Sequence, residues 1–196
     1  MVYDYTGFPK ETYDVTYPAP GAPDLAARAA GLIAAAGLPA RLDDKRGYDH
    51  GCFVPAFVMY PDADMPLFQI SLRHGYDPAE HFALGRALAP LRDDGVLIIG
   101  SGLSYHNLAL FGPGAKVPSE AFDTWLARTM AADPADRSDR LLHWLEAPHA
   151  RTCHAKEDHF VPLFAALGAA ESEAATMVYH DTGLFGGVTA SSYRLG

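Results

Sequence analysis

Val96-Leu97-Ile98-Ile99-Gly100 is the stretch on which the reading of this chain turns. It is wholly apolar, it is entered from Asp93-Asp94-Gly95 and left through Ser101-Gly102, and it is too short for a core helix. Such a run reads as a strand buried on both faces of a parallel sheet. Just before it, Asp77-Pro78-Ala79-Glu80 gives an N-cap, a proline in the first turn and an acid near the helix start, followed by apolar Phe82, Leu84, Leu88 and Leu91. A helix feeding a buried strand implies a βαβ-type layout. The expectation is therefore an α/β protein of one domain over residues 1–196, with a central mostly parallel or mixed sheet flanked by helices.

Working outward, residues 25–36 carry strong helix formers after the N-cap candidate Asp24 and stop at Gly37. Ala40-Arg41-Leu42 is a candidate strand. Cys52 to Met59 is apolar but holds Pro55, which predicts an irregular or short helical segment rather than a central strand. Pro66 to Leu72 alternates and predicts a strand. Ser119 to Met130 and Ser138 to Leu145 have helical spacing, His154 to Leu167 reads as a last long helix closed by Gly168, and Thr176 to His180 as a final strand before a Gly-rich tail. Asp4 to Gly21, rich in Tyr, Pro and Gly, reads as a loop where a first strand would ordinarily stand, so the sheet is expected to be incomplete at its N-terminus.

Composition narrows the partners. The formal charge is -9 with a pI of about 5.3 and no long run of Lys or Arg, which disfavours nucleic acid and anionic membrane surfaces and leaves a small molecule or a protein. No apolar run approaches the roughly 20 residues of a membrane span. Cys52 and Cys153 are the only cysteines and lie far apart, giving neither a disulfide framework nor a Cys-x-x-Cys zinc site. A soluble protein of a reducing, cytoplasmic setting is expected.

Chemistry concentrates in histidines at element edges. Gly100-Ser101-Gly102-Leu103-Ser104-Tyr105-His106-Asn107 follows the buried run, its small residues allowing close backbone approach while His106 is presented where α/β proteins build their sites. An acid/base role suits His106; the bland alternative is a residue that ties down a loop. In Asp49-His50-Gly51 the carboxylate has the chance to orient the ring, although a surface turn explains the same residues. In His154-Ala155-Lys156-Glu157-Asp158-His159, five-residue spacing on a helix turns one imidazole toward a site and the other away, with Glu157 and Asp158 readable as first-turn acids that suit the helix dipole. A zinc hydrolase built on His154, Asp158 and His159 with another His fits poorly, because helical spacing pairs His154 with Asp158 and rotates His159 from both. His74, His81, His143, His149 and His180 have no motif context.

Taken in order, Tyr3-Asp4-Tyr5-x-Gly7-Phe8-Pro9, Tyr17-Pro18-Ala19-Pro20-Gly21, Asp49-His50-Gly51, Tyr60-Pro61-Asp62-Ala63-Asp64, Gly100-Ser101-Gly102-x-Ser104-x-His106-Asn107 and His154-x-x-Glu157-x-His159-x-x-Pro162-Leu163 resemble the class III extradiol ring-cleaving dioxygenases of the 4,5-DOPA dioxygenase type. The resemblance implies a mixed sheet flanked by helices and a mononuclear non-haem iron(II) centre, sometimes replaced by zinc in purified protein, acting on a catechol with dioxygen. It implies that His159 is a metal ligand, with His154 as second choice. It also implies that His106 is the acid/base residue and that His50, with Asp49 and Ser104, contacts substrate. Two further ligands of that family lie in Ser-His-Gly-Ser-Pro and Ser-x-His-Trp stretches, and neither occurs here. An open facial iron site needs about three protein ligands. Weak metal binding by this chain, self-association or dependence on a missing N-terminal segment is therefore expected, and the alternative is a non-catalytic relic or binding domain of the same fold.

Overall fold

Pro23 fixes the backbone for a first helical residue, Asp24 puts an acid in the first turn and Gly37, at φ 79°, ends the run. Helix α1 accordingly spans Pro23–Ala35 in the computed structural model, which describes residues 1–196. It belongs to an N-terminal unit, Met1–Ser71, distinct from a C-terminal unit, Leu72–Gly196. Only Ala29 and Ile33 of α1 are buried, one turn apart.

The segment around Pro55 is a full helix, α2 (His50–Met59), with the proline inside it and Phe53 as its buried anchor. Ala40–Leu42 forms no strand, and the alternating stretch from Pro66 contributes one isolated parallel bridge, Gly21 to Leu67. That bridge is made by Ala22 N–H to the Leu67 carbonyl (3.1 Å) and Leu67 N–H to the Pro20 carbonyl (3.0 Å). The buried Tyr17 hydroxyl donates to the Tyr60 carbonyl at 2.9 Å, tying the loop ahead of α1 to the end of α2.

In the C-terminal unit, α3 (Pro78–Leu88) starts as its residues prescribe: the Asp77 carboxylate accepts the Glu80 N–H at 2.9 Å. Helices α4 (Lys116–Met130), α5 (Pro134–Leu142), α6 (Ala150–Cys153) and α7 (Pro162–Gly168) follow, then strands β1 (Ala175–Leu184) and β2 (Val188–Leu195). The expected long helix over His154–Leu167 is corrected to α7 alone. Pro162 has no N–H to donate into a preceding turn, and residues 154–161 run as bends and short hydrogen-bonded turns ahead of it, with Val161 itself in αR backbone.

The central parallel sheet is the larger correction. The sheet that forms is a two-stranded antiparallel hairpin, β1 with β2, turning through Phe185 and Gly186 at positive φ. Val96–Gly100 pairs with no strand, and Leu97 is 63% and Ile99 50% exposed. A parallel strand is buried only when neighbouring strands supply its ladder and helices cover both faces. Here one side alone is covered, by α7: Gly100 lies against Pro162 and Ala166 so closely that a side chain would not fit. Strand β2 was hidden in the Gly-rich tail, and its residues Val188 to Ser191 are buried.

The core of this unit is aromatic, centred on Phe82, Phe122, Trp144, Phe160 and Phe164. Arg137 is buried and donates to the Glu171 and Glu173 carbonyls, each at 2.8 Å, anchoring the entry to β1. Helices α3 and α7 approach through facing glycines. A Cβ on Gly85 would strike the Ala165 carbonyl, and one on Gly168 the Phe82 carbonyl. In an open helix Gly→Ala gains about 1 kcal/mol. Here overpacking reverses the sign, so Gly85→Ala is expected to destabilise by about 1–3 kcal/mol, read as a lower urea midpoint with unchanged slope.

Candidate functional site

Two irregular segments of the C-terminal unit, 102–107 and 152–159, are tied together before any chemistry is considered. Leu103 N–H donates to the His159 carbonyl (2.9 Å), His106 N–H to the Cys153 carbonyl (2.9 Å) and the Asn107 amide to the Thr152 carbonyl (2.7 Å). Gly102 permits this, because a Cβ there would collide with the His159 carbonyl. The small residues that sequence reading linked to close approach do serve that purpose, with a protein segment as the neighbour.

The ties bring His106 and His159 face to face. Their ring centroids are 3.5 Å apart and their planes 14° from parallel. Asp158 sits at the edge of the stack: its Oδ1 lies 3.3 Å from His159 Nδ1 and accepts the His159 N–H at 3.1 Å, while Lys156 Nζ stands 3.5 Å from Oδ2. Burial works to raise the Asp158 carboxyl, but the hydrogen bond from His159 and the cations around it hold it below its ordinary value. One donor atom from each of His106, Asp158 and His159 falls within a 4.8 Å cluster, all three residues being half-buried.

Two imidazole nitrogens and a carboxylate are a donor set that suits a divalent transition metal. A bound ion lies close to the plane of each imidazole that binds it, and two parallel planes 3.5 Å apart do not share such a point. As arranged, one ring with Asp158 can hold an ion while the other lies parallel to it.

Asp158 is the residue that reading by helical spacing misplaced. With no helix over 154–161, Asp158 joins His159 and parts from His154. His154 is 0% exposed, its ring stacked on Phe160 (4.7 Å) and edge-on to Phe122 (5.1 Å) and Trp144 (6.0 Å). Its Nε2 lies 3.0 Å from the Ser104 carbonyl, and its Nδ1 is buried with no hydrogen-bond partner. Ser104 is doubly engaged, since its hydroxyl oxygen also accepts the Ser191 N–H of β2 at 2.9 Å.

His50 lies in the N-terminal unit at the start of α2. Its Nδ1 is 2.6 Å from an Asp4 carboxylate oxygen, and Tyr5 meets the ring edge-on at 5.8 Å. Asp49 does not orient that ring as expected; its carboxylate pairs instead with Arg46 at 3.0 Å. His180, which had no motif context, approaches both Ser191 Oγ (3.0 Å) and the buried Asp123 (3.4 Å) through the same Nδ1. A hydrolytic relay places acid and hydroxyl on opposite ring nitrogens, so this group is a tie between hairpin and α4.

The whole chain, residues 1–196, matches the family described as the catalytic LigB subunit of aromatic ring-opening dioxygenase. It is 38% identical over 197 residues to the 4,5-DOPA dioxygenase extradiol of Beta vulgaris, covering 98% of this chain and 73% of that protein. It is 38% identical over 210 residues to Dioxygenase tasH of Hapsidospora irregularis, covering 100% of this chain and 64% of that protein. The crystal structure of an uncharacterized protein from Escherichia coli K12 superposes with a TM-score of 0.82 at 31% identity, over 94% of this chain and 77% of that one. No helix is long and apolar enough to cross a membrane.

Burial holds the His154 imidazole neutral, down to about 4 from 6.5. The unfolded chain therefore takes up a proton below about pH 6.5 that the folded chain refuses until about pH 4. Stability is complete above that window and falls as pH drops through it, by about 3 kcal/mol at 1.36 kcal/mol per unit. Urea melts between pH 7 and 4 should show this loss in the wild type and a shallower one in His154→Phe.

Proposed function

Because this chain belongs to the LigB family of aromatic ring-opening dioxygenases, we propose that it is the part of an extradiol dioxygenase that presents His106 and His159 to a catechol and dioxygen at an iron(II) centre. The observation that carries this reading is the parallel stack of the two rings with Asp158 at its edge. Its geometry suits a division of labour in which one imidazole binds metal and the other transfers protons.

In this reading His159 is the metal ligand, with Asp158 beside it as carboxylate donor or as the partner of its Nδ1. When bound, iron(II) supplies a Lewis-acidic template for the two diol oxygens and dioxygen. A ring nitrogen of His106 takes the proton of the second hydroxyl and returns one as the ring opens, general acid–base work of the kind imidazoles perform. Both atoms of dioxygen enter the product and one carbon–carbon bond outside the diol breaks, giving a ring-opened semialdehyde with no external reductant. Within the N-terminal unit the Asp4 carboxylate accepts from His50 Nδ1, which fixes the tautomer of a residue that the resemblance assigns to substrate contact. Ser104 ties the loop to β2 and to His154 through its two oxygens, and its hydroxyl keeps a proton to donate.

His159 and Asp158 fall short of the roughly three protein donors of an open iron site. The test therefore uses the chain in excess iron(II), with and without a separate polypeptide carrying the family's Ser-His-Gly-Ser-Pro and Ser-x-His-Trp stretches. Loaded anaerobically, given a catechol and then oxygen, the mixture should consume one dioxygen per ring opened and turn yellow, most strongly with the added polypeptide. Zinc should give no colour. His106→Gln is expected to lower kcat by about 10²–10⁴-fold with iron content unchanged, and His159→Ala to lose iron and activity together. Bound iron and bound catechol without oxygen uptake would overturn the proposal.

A further inference from the structure

His154 lies in the aromatic core, and its ring does more than fill space there. It is fully buried, yet one nitrogen is spent on a main-chain carbonyl, that of Ser104, two residues before His106. The backbones of His106 and His154 also meet in an isolated bridge, beside the bond from His106 N–H to the Cys153 carbonyl. For Nε2 to reach a carbonyl oxygen it must carry the proton, which leaves Nδ1 as the bare nitrogen. That Nδ1 is the buried atom without a partner. Three aromatic neighbours, Phe160, Phe122 and Trp144, hold the ring plane so that the Nε2–H keeps its aim.

A core position that required only volume would take a phenylalanine, which avoids the cost of an unpaired buried nitrogen. The unpaired nitrogen is tolerated where the opposite nitrogen performs a task. The task open to it here is to fix the Ser104 carbonyl, and with it the backbone that carries the His106 ring onto His159.

We infer that His154 is a positioning residue for the His106–His159 pair, acting through its Nε2–H bond to the Ser104 carbonyl rather than as a ligand or a proton donor to substrate. Its bearing on catalysis rests on the reading of His106 as acid/base, whereas its bearing on the ring pair does not. Burial keeps the imidazole neutral throughout the physiological range, so the strut carries no charge beside the pair.

The test uses the metal-free 196-residue chain. Nitrogen-15 spectra should show His154 as the Nε2–H tautomer with a slowly exchanging ring proton; the Nδ1–H tautomer would overturn the inference without any substitution. His154→Phe keeps an aromatic ring but no donor, and His154→Gln keeps an amide donor of similar reach. In the Phe variant the ring resonances of His106 and His159, displaced in the wild type by each other's ring currents, should move toward free-imidazole positions. Amide resonances of β1, β2 and α3 should stay in place, and Gln should restore the ring shifts at least in part. Unchanged ring shifts in the Phe variant, or equal disturbance of core amides by both variants, sinks the inference. In the iron-loaded, complemented protein, Phe is expected to lower kcat about tenfold with KM within twofold, and Gln to recover most of it. Ring shifts that respond while the wild type opens no catechol would uphold the strut and refute the dioxygenase reading, so the two failures are distinguishable.

Discussion

The interaction on which the C-terminal unit depends is the lacing of residues 102–107 to residues 152–159. Neither segment is helix or strand over most of its length, so neither has a ladder of its own to satisfy its main-chain groups. They satisfy part of each other instead, through three hydrogen bonds to main-chain carbonyls besides the one that His154 contributes. Gly102 is indispensable because the contact is backbone against backbone, and Gly100 repeats the arrangement one step earlier against Pro162. The stacked imidazoles are a by-product of that lacing: once two chains lie this close, side chains leaving the same edge have little choice but to overlap.

This explains why the position of the site was legible in the sequence while its geometry was not. Small residues before His106 pointed to close approach, and close approach is what they serve. Helical spacing failed for His154 to His159 because α7 begins only at Pro162, whose missing N–H cannot close a helical turn onto the residues behind it. Once that helix is removed, Asp158 and His159 form the pair and His154 is the outlier. A single signal was available in advance, Asp-His followed by Pro three residues later, and it argued for a loop rather than a first turn. Asp4 as the partner of His50 was beyond reach, since a contact across 46 positions has no local pattern.

The fold was legible in its helices and not in its sheet, for a related reason. A helix closes its hydrogen bonds within one segment, so local composition and periodicity suffice to find α1, α3 and α4, although of the three only α3 starts on a side-chain cap and Asp24 lies inside α1 rather than at its N-cap. A strand needs a second segment that the first does not specify. Val96–Gly100 has the composition of a buried strand, but composition states what the residues tolerate and not what is beside them. The hairpin was half found, as β1, because the buried half of β2 carries Thr, Ala and Ser beside Val188 and owes its burial to packing on α4 rather than to large apolar side chains.

The uncovered flank at Leu97 and Ile99 has a consequence for how the molecule behaves in concentrated solution. With a formal charge of -9, copies of this chain repel one another over distances set by the Debye length, about 8 Å at physiological ionic strength. The apolar flank, with backbone amides that no ladder occupies, attracts only at contact. Added salt shortens the repulsion and leaves the contact attraction intact. Ionic strength, together with a pH brought down toward the pI of about 5.3, decides whether neighbouring molecules stay apart long enough for that flank to matter.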